Sequence, residues 1–261
     1  MKIILVMSEA FLWKPKFVND IISSLGSKNK VVGVVLSSFK PRKTSALKHI
    51  MRYFIMLGPK AFIITAFKEL YYSFANFIDK YITLNKFFSI EGVCRRKNIP
   101  IFKSRNVNDN NTINWISNFE PDIILSSGNQ IFQSELLSIP KIACINRHTS
   151  LLPSYKGIYP IFWCMLNDEK FVGVTVHTMT LKIDGGKILA QQKIPIKKQD
   201  TFFLLFEKCF EISVDVVIEA IKILDDGLTV KKPTNSYQKS YYSYPSYSDV
   251  KLFRKKGNKM L

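Results

Sequence analysis

Residues 1–36 read MKIILVMSEAFLWKPKFVNDIISSLGSKNKVVGVVL, and this stretch decides the fold. Lys2 to Met7 (KIILVM) is a short, unbroken apolar run rich in β-branched residues, the composition of a strand covered on both faces. Phe17, Ile21, Ile22 and Leu25 then share one face of a helix that Gly26 closes. Val31 to Leu36 (VVGVVL) is a second buried strand. Strand, helix, strand in so short a span is a βαβ unit and predicts a parallel sheet.

The rhythm is interrupted from Ser45 to Phe88, an aromatic and basic stretch that reads as two or three helices with a break at Gly58-Pro59. It then resumes. Ile99 to Phe102, Asp122 to Ser126 and Ile142 to Asn146 are expected as strands, Thr112 to Phe119 and Ile131 to Leu137 as helices, with Pro100, Pro121 and Pro140 near the turns. His148 to Gly157 is a loop and Pro160 to Leu166 a short helix. Val172 to Met179 and Lys187 to Ile196 are strands paired as a hairpin around Asp184-Gly185-Gly186. Apolar residues at 202, 205, 206, 210, 217, 220, 221 and 224 mark a long amphipathic helix. The expectation is an α/β protein with a Rossmann-like, mostly parallel sheet and flanking helices. Residues 1–200 form its core, with a helical insertion at about 45–88. Residues 201–261 form a C-terminal helix and a short, basic, aromatic tail.

Length and composition bound the rest. The 261 residues, 47% hydrophobic and 22% charged, suit a globular chain with a sizeable core and exclude disorder, collagen and coiled coil. Cys94, Cys144, Cys164 and Cys209 form no CxxC pair, so neither a disulfide framework nor a cysteine metal site is expected. No secretory signal pattern opens the chain, and the greasiest stretch, Tyr53 to Ile78, is broken by Lys60, Lys68 and Glu69. A cytoplasmic location is expected. The net charge of +18 is the abnormal value. Residues 21–68 hold nine Lys or Arg and no acid, and the tail after Gly227 holds eight against Asp249, so these two segments carry 16 of the 18 net charges. Such fields attract phosphates, RNA or acidic membranes, unless the lysines merely solvate the surface.

The chemistry concentrates after the fifth strand. No GxGxxG or GxxxxGKS is present. Instead Asn146-Arg147-His148 ends a parallel strand, where open α/β sheets bind ligands. An amide and an imidazole there can donate to a developing oxyanion. Asp184, beside two glycines, can orient a histidine. With no activated nucleophile in view, direct transfer fits better than a covalent enzyme intermediate. Each residue also has a plainer reading: His148 as a loop cap, Asn146 as a turn residue, Asp184 as a hairpin-turn residue. His177, inside an alternating strand, reads as structural, and His49 as exposed.

The run NRHTSLLPSYKG (146–157) resembles the signature loop of the 10-formyltetrahydrofolate-dependent formyltransferases, Asn-x-His-x-Ser-Leu-Leu-Pro-x-Tyr-Arg-Gly. Pro160, Trp163, Gly173-Val174-Thr175-Val176-His177 and Asp184 with its following Gly-x-Ile-Leu also fit. The similarity is dense from Pro121 to Pro195. Thr149 stands where Pro or Ala is usual and Lys156 where Arg is usual, which replaces a planar fork by a point charge. The resemblance implies 10-formyltetrahydrofolate as formyl donor, with the pterin near Ser127, Gly128, Asn129, Gln130, Ile131 and the Leu151-Leu152 loop. It implies substrate contacts at Ser150, Tyr155, Lys156 and Gly157, and no metal. Asn146 and His148 would stabilise the tetrahedral intermediate as an amine attacks, and Asp184 would align His148 and help remove the proton.

Within that family the chain is most similar to the sugar N-formyltransferases, which act on nucleotide-linked amino sugars for surface polysaccharide such as lipopolysaccharide O-antigen. Met7 to Trp13 lacks the Gly/Ser-rich phosphate loop of glycinamide ribonucleotide formyltransferases. Only about 35 residues follow Gly227, too few for the β-barrel appended to methionyl-tRNA formyltransferases, whose catalytic domain is otherwise related. The expected partner is therefore a nucleotide-linked dideoxy amino sugar, without obligatory nucleic acid. Methionyl-tRNA formylation is the first alternative. A non-catalytic membrane- or nucleic-acid-binding module is the second, against which the intact Asn146, His148 and Asp184 speak. The insertion leaves room for a peripheral membrane contact or a homodimer.

Overall fold

The computed structural model describes residues 1–8, 12–37, 46–128, 130–227 and 238–261. Its elements in chain order are β1 (Lys2–Ser8), α1 (Lys14–Ser24), β2 (Lys30–Ser37), α2 (Ala46–Leu57), α3 (Pro59–Ile78), α4 (Ile90–Arg96), β3 (Ile101–Ser104), α5 (Asn110–Ser117) and β4 (Ile123–Ser127). There follow α6 (Ser134–Leu137), β5 (Ala143–His148), β6 (Lys156–Gly157), α7 (Pro160–Leu166), β7 (Phe171–Thr178), β8 (Ile188–Pro195), α8 (Phe202–Asp225), β9 (Tyr241–Tyr242) and α9 (Tyr247–Lys255).

Seven strands form one sheet in the order β3-β2-β1-β4-β5-β7-β8. The first five run parallel; β7 adds antiparallel to β5, and β8 adds antiparallel to β7. The apolar runs that announce β1 and β2 behave as two-faced strands must: side chains alternate across the sheet. Ile3, Leu5 and Met7 join the larger core with α1, α4, α7 and α8, while Ile4 and Val6 join a smaller one under α5 and α6. The strand order reverses between β1 and β4, which opens a crevice at their carboxyl ends.

The long helix α8 starts at Thr201, whose side chain accepts from the Leu204 amide. It buries Leu205, Phe210, Val216, Val217 and Ile221, close to the stripe expected from the sequence. Trp13 and Phe17 of the α1 region pack on Phe210, locking α1 to α8.

Some expectations need correction. The helix expected from Ile131 begins only at Ser134. The Asn108 side chain explains this, since it donates to the Ile131 carbonyl and accepts from the Gln133 amide, diverting backbone that a helix would use. Helix α4 was not foreseen. Ser89 caps it and Arg95 and Arg96 both pair with the buried Asp79, which fastens it to the end of the insertion. His148 is the last residue of β5 rather than the first of a loop.

The described end of the chain is folded onto the core. β9 pairs with β6 in parallel, Lys156 opposite Tyr241 and Gly157 opposite Tyr242. A capping box of Ser246 and Asp249 starts α9. Phe253 stacks on Phe162 at 4.6 Å, and the Phe202 amide donates to the Lys259 carbonyl at 2.9 Å.

Candidate active site

The site is assembled by strand register. Antiparallel pairing of β5 with β7 places Asn146 opposite His177 and His148 opposite Thr175. Residues at i and i+2 share a face, so Asn146 and His148 share one side and Arg147 points to the other. There Arg147 is buried, donates from Nε to Ser213 Oγ at 2.8 Å and lies 4.0 Å over the Phe210 ring. Burial pulls its pKa down to about 10, and its Nη2 has no hydrogen-bond partner. Arg147 braces α8 to the sheet behind the site.

On the site face, Asn146 Nδ2 lies 3.3 Å from His177 Nε2. His177 Nδ1 is 2.8 Å from the Thr178 carbonyl, an acceptor only, so Nδ1 carries the proton and Nε2 accepts from Asn146. This fixes the orientation of the Asn146 amide and leaves its second N–H without a protein acceptor among the described residues. Burial depresses the His177 pKa to about 4, with the nearby His148 acting in the same direction and the Thr178 carbonyl opposing. The ring is neutral at pH 7.

His148 Nε2 is 3.0 Å from the Tyr155 carbonyl, an acceptor only, so Nε2 carries a proton. Its Nδ1 therefore faces Asp184, whose Oδ1 lies 3.8 Å from it and 3.7 Å from His177 Nε2. The other carboxylate oxygen, Oδ2, accepts from the Gly157 amide at 2.8 Å. Oδ1 thus sits between two imidazoles with no described donor in hydrogen-bond range, in a side chain that is 10% exposed.

Two glycines make this arrangement possible. Gly157 has φ +96°, and a Cβ there would lie 2.1 Å from the Tyr242 carbonyl oxygen, so only glycine lets β9 close on β6. A Cβ at Gly186 would lie 1.6 Å from the Thr178 carbonyl oxygen, across the base of the loop that carries Asp184. Asp184 itself has φ +46°, a left-handed conformation that Asp tolerates better than most residues.

Of the anticipated donor-binding residues, Ser127 and Gly128 end β4 beside Asn146, through the pairing of Ser126 with Asn146. Lys14 Nζ donates to the Ser127 carbonyl at 2.9 Å and to the Ser8 carbonyl at 3.0 Å, tying the ends of β4 and β1. Burial, with help from Arg147, lowers its pKa to about 7. Asn129 lies outside the described residues. Gln130 is engaged by the backbone, its Oε1 accepting from Val107 and its Nε2 donating to Arg105. Ile131 is exposed. Leu151 is buried over Gly173, where a Cβ would come within 2.4 Å of its Cδ2.

The anticipated substrate contacts separate similarly. Ser150 is fully buried and donates to the Ser154 carbonyl, and Tyr155 turns inward, its hydroxyl donating to Glu169 Oε1 at 2.6 Å. Both shape the loop. Gly157 acts through its amide. Lys156 borders a cavity of about 360 Å³ lined also by Leu152, Pro153, Lys182, Asp184, Gly185, Gly186, Ile188 and Lys239. Sequence reasoning missed His177 as a site residue, along with Lys182 and Lys239. His177 could have been found from the two-residue alternation that also carries Thr175, once β7 was set beside β5. Lys239 had no such signal, because it arrives from a distant segment.

An amide, two imidazoles and a half-held carboxylate, gathered where the end of β5 pairs with β7, form a candidate group-transfer site with proton-handling side chains. The chain belongs to the formyl transferase family: the family profile described as "Formyl transferase" matches residues 1–221. Family members use 10-formyltetrahydrofolate as formyl donor. Two relatives are a bifunctional polymyxin resistance protein ArnA of Wigglesworthia glossinidia brevipalpis and a methionyl-tRNA formyltransferase of Borrelia garinii subsp. bavariensis. The first is 36% identical over 170 residues, 64% of this chain and 26% of the relative. The second is 36% identical over 149 residues, 57% and 47%. The chain thus spans half or less of the length of these curated relatives.

Solved structures share the fold. A phosphoribosylglycinamide formyltransferase from Anaplasma phagocytophilum superposes with a TM-score of 0.62 at 14% identity, covering 94% of this chain and 99% of that one. An N-formyltransferase from Helicobacter canadensis, in complex with folinic acid and dTDP-3-aminofucose, gives 0.57 at 16% identity, covering 97% and 80%. Among the described residues no group of three His, Cys, Asp or Glu could hold a metal ion. No single described helix is long and apolar enough to cross a membrane.

Proposed function

We propose that this chain transfers the formyl group of 10-formyltetrahydrofolate to the amine of a nucleotide-linked dideoxy amino sugar, a building block of surface polysaccharide. The observation that carries the transfer chemistry is Asp184 Oδ1, nearly buried yet unbonded, held between His148 Nδ1 and His177 Nε2. A carboxylate so placed has one task left, which is to support positive charge on an imidazole or to receive a proton.

The residues present fit the formyl end of the donor, because the second Asn146 N–H and His148 Nδ1 are uncommitted polar atoms in the cluster that Asp184 joins to the cavity. In this reading Ser127 and Gly128 hold the ring system, and Leu152 and Pro153 cover it. When bound, the donor supplies an activated formyl group that the acceptor amine attacks directly. Asn146 then stabilises negative charge on the carbonyl oxygen, an effect worth about 10²–10³ in rate for one donor. His148 Nδ1 takes up the amine proton as charge develops, and Asp184 holds the resulting imidazolium. A proton passes to the tetrahydrofolate nitrogen as its bond to the formyl carbon breaks and the carbonyl re-forms. Positioned proton transfer of this kind contributes roughly 10²–10⁴-fold. His177 keeps Asn146 in register and stays neutral, so it does not compete for the Asp184 charge.

The acceptor class is supported by the cavity. Lys156, Lys182 and Lys239 line it without an ion-pair partner among the described residues, and the one carboxylate there, Asp184, is committed to the histidines and Gly157. Three unpaired ammonium groups beside a transfer site fit a diphosphate. The Helicobacter canadensis structure carries a nucleotide-linked amino sugar together with a folate. Methionyl-tRNA is the competing acceptor, favoured by the relatives of that name and by the +18 charge.

The test is tetrahydrofolate release from 10-formyltetrahydrofolate. It is run with dTDP-, UDP- and GDP-linked 3-amino and 4-amino sugars, glycinamide ribonucleotide and methionyl-tRNA. Turnover with one sugar nucleotide, reduced at least about 10²-fold by His148→Ala, is the expected result. Turnover with the tRNA or glycinamide ribonucleotide alone would keep the chemistry and discard the acceptor. Failure to bind the folate would overturn both.

A further inference from the structure

The insertion presents an apolar face to solvent. In α3 and the turn after it, Ile63, Phe67, Leu70, Phe74, Phe77 and Tyr81 follow one another at alternating spacings of four and three, and each is more than half exposed. Such spacing keeps all six on one face of the helix. The opposite face, at Ala61, Thr65 and Ala75, is the one buried against the protein. This inverts the usual arrangement, in which the large apolar side chains go inward. In α2, Leu47, Ile50, Met51 and Phe54 form a second exposed stripe. Monomeric soluble proteins rarely leave contiguous apolar surface on this scale uncovered, and where they do it marks an interaction site.

Charge decides what covers it. Lys60 and Lys68 of α3, and Lys80 and Lys86 just after it, have no ion-pair partner among the described residues. The acids of this segment are Glu69 and Asp79, and Asp79 is buried between Arg95 and Arg96. A second copy would bring another net charge of +18 against the first, with no acidic patch in the segment to receive the lysines. An anionic bilayer supplies what both stripes and lysines require: hydrocarbon for Phe and Leu, a headgroup layer for Tyr, and phosphates for Lys.

The geometry favours lying in the interface over crossing it. The chain bends by 120° between α2 and α3 at the Gly58-Pro59 break, and neither helix alone has the length and apolarity of a span.

We infer that the α2–α3 hairpin docks this protein on an anionic lipid surface, with the Phe67–Phe74–Phe77 stripe inserted into the headgroup boundary. This inference stands independently of the acceptor proposed above.

Flotation of the full chain with vesicles tests it, comparing phosphatidylcholine alone with phosphatidylcholine plus phosphatidylglycerol at physiological ionic strength. The expected result is binding to the anionic vesicles. Phe67→Ser and Phe74→Ser should each weaken it on the order of tenfold, and Lys60→Gln and Lys68→Gln roughly fivefold each. These side chains are exposed, so all four variants should keep the wild-type melting temperature and formyl transfer to a soluble acceptor. Three results would overturn the inference. They are absence of binding to anionic vesicles, binding indifferent to both phenylalanine substitutions, or a dimer by light scattering that Phe67→Ser dissociates.

Discussion

His177 is the residue whose environment says most about the site. Its ring is buried, and desolvation holds its pKa at about 4 against 6.5 for the free side chain. Between those values the unfolded chain binds a proton that the folded chain refuses, so stability falls as pH drops from about 6.5 toward about 4. Above 6.5 the contribution is constant. The full effect is about 3 kcal/mol. Urea midpoints should show wild type losing its advantage over His177→Gln between pH 7 and pH 5, whereas a gap that ignores pH would show that burial does not set the ring's charge. The same substitution lets the Asn146 amide turn. A fall in kcat with little change in the KM for folate is expected if His177 acts through Asn146. Asp184→Asn removes the charge that holds protonated His148 and should lower kcat by at least about 10²-fold, measured across pH 6–9.

At the scale of elements, the two-residue pairing of β6 with β9 links the end of the chain to the active site. The Gly157 amide donates to Asp184, and the Gly157 backbone accepts only a residue without Cβ because the Tyr242 carbonyl is 2.1 Å from where that atom would be. Gly157→Ala therefore forces β9 away and disturbs Asp184 together. We expect a loss of about 1–3 kcal/mol from the left-handed backbone strain alone, read from chemical denaturation, with a larger fractional loss of activity than of stability. Thr201→Ala offers a contrast. It removes the α8 cap, should cost about 1 kcal/mol, and should leave turnover unchanged at a temperature where both proteins are folded.

For the whole molecule, α9 is part of the core rather than an accessory. Phe253 is fully buried and stacked on Phe162, while Trp163 stacks on Tyr242 at 4.7 Å. Phe253→Ala should lower stability by about 3–5 kcal/mol, as deletion of a fully buried aromatic ring does, and calorimetry would register it as a large drop in Tm. A substitution tolerated without loss would mean that the end of the chain does not pack as described. Because Lys239 reaches the active-site cavity from the same segment, loosening α9 should also raise the KM for a phosphorylated acceptor before it changes the KM for folate.

The parallel sheet was legible from residues 1–36 because buried strands need unbroken β-branched runs, and a helix between two of them leaves the parallel crossover as the connection. The long stripe of α8 was legible for the same kind of reason, since periodicity is a local property. Asn146 and His148 stood out through the dense run 146–157, and Asp184 through its own short Asp-Gly-Gly segment further along the chain. What local pattern does not carry is register and arrival from afar. Whether His177 is a core histidine or a site residue depends on which residue of β5 lies opposite, and that is set when β7 pairs antiparallel. The start of α6 was misplaced because the Asn108 side chain, more than twenty residues away, takes its hydrogen bonds. The insertion read as two or three basic, aromatic helices broken at Gly58-Pro59, with no sign of which face would be buried. Only packing showed that α3 buries Ala61, Thr65 and Ala75 and leaves its large apolar side chains outside. Sequence determined which segments must be buried or regular. The tertiary structure alone decided which faces meet, because that choice is made by contacts between residues far apart along the chain.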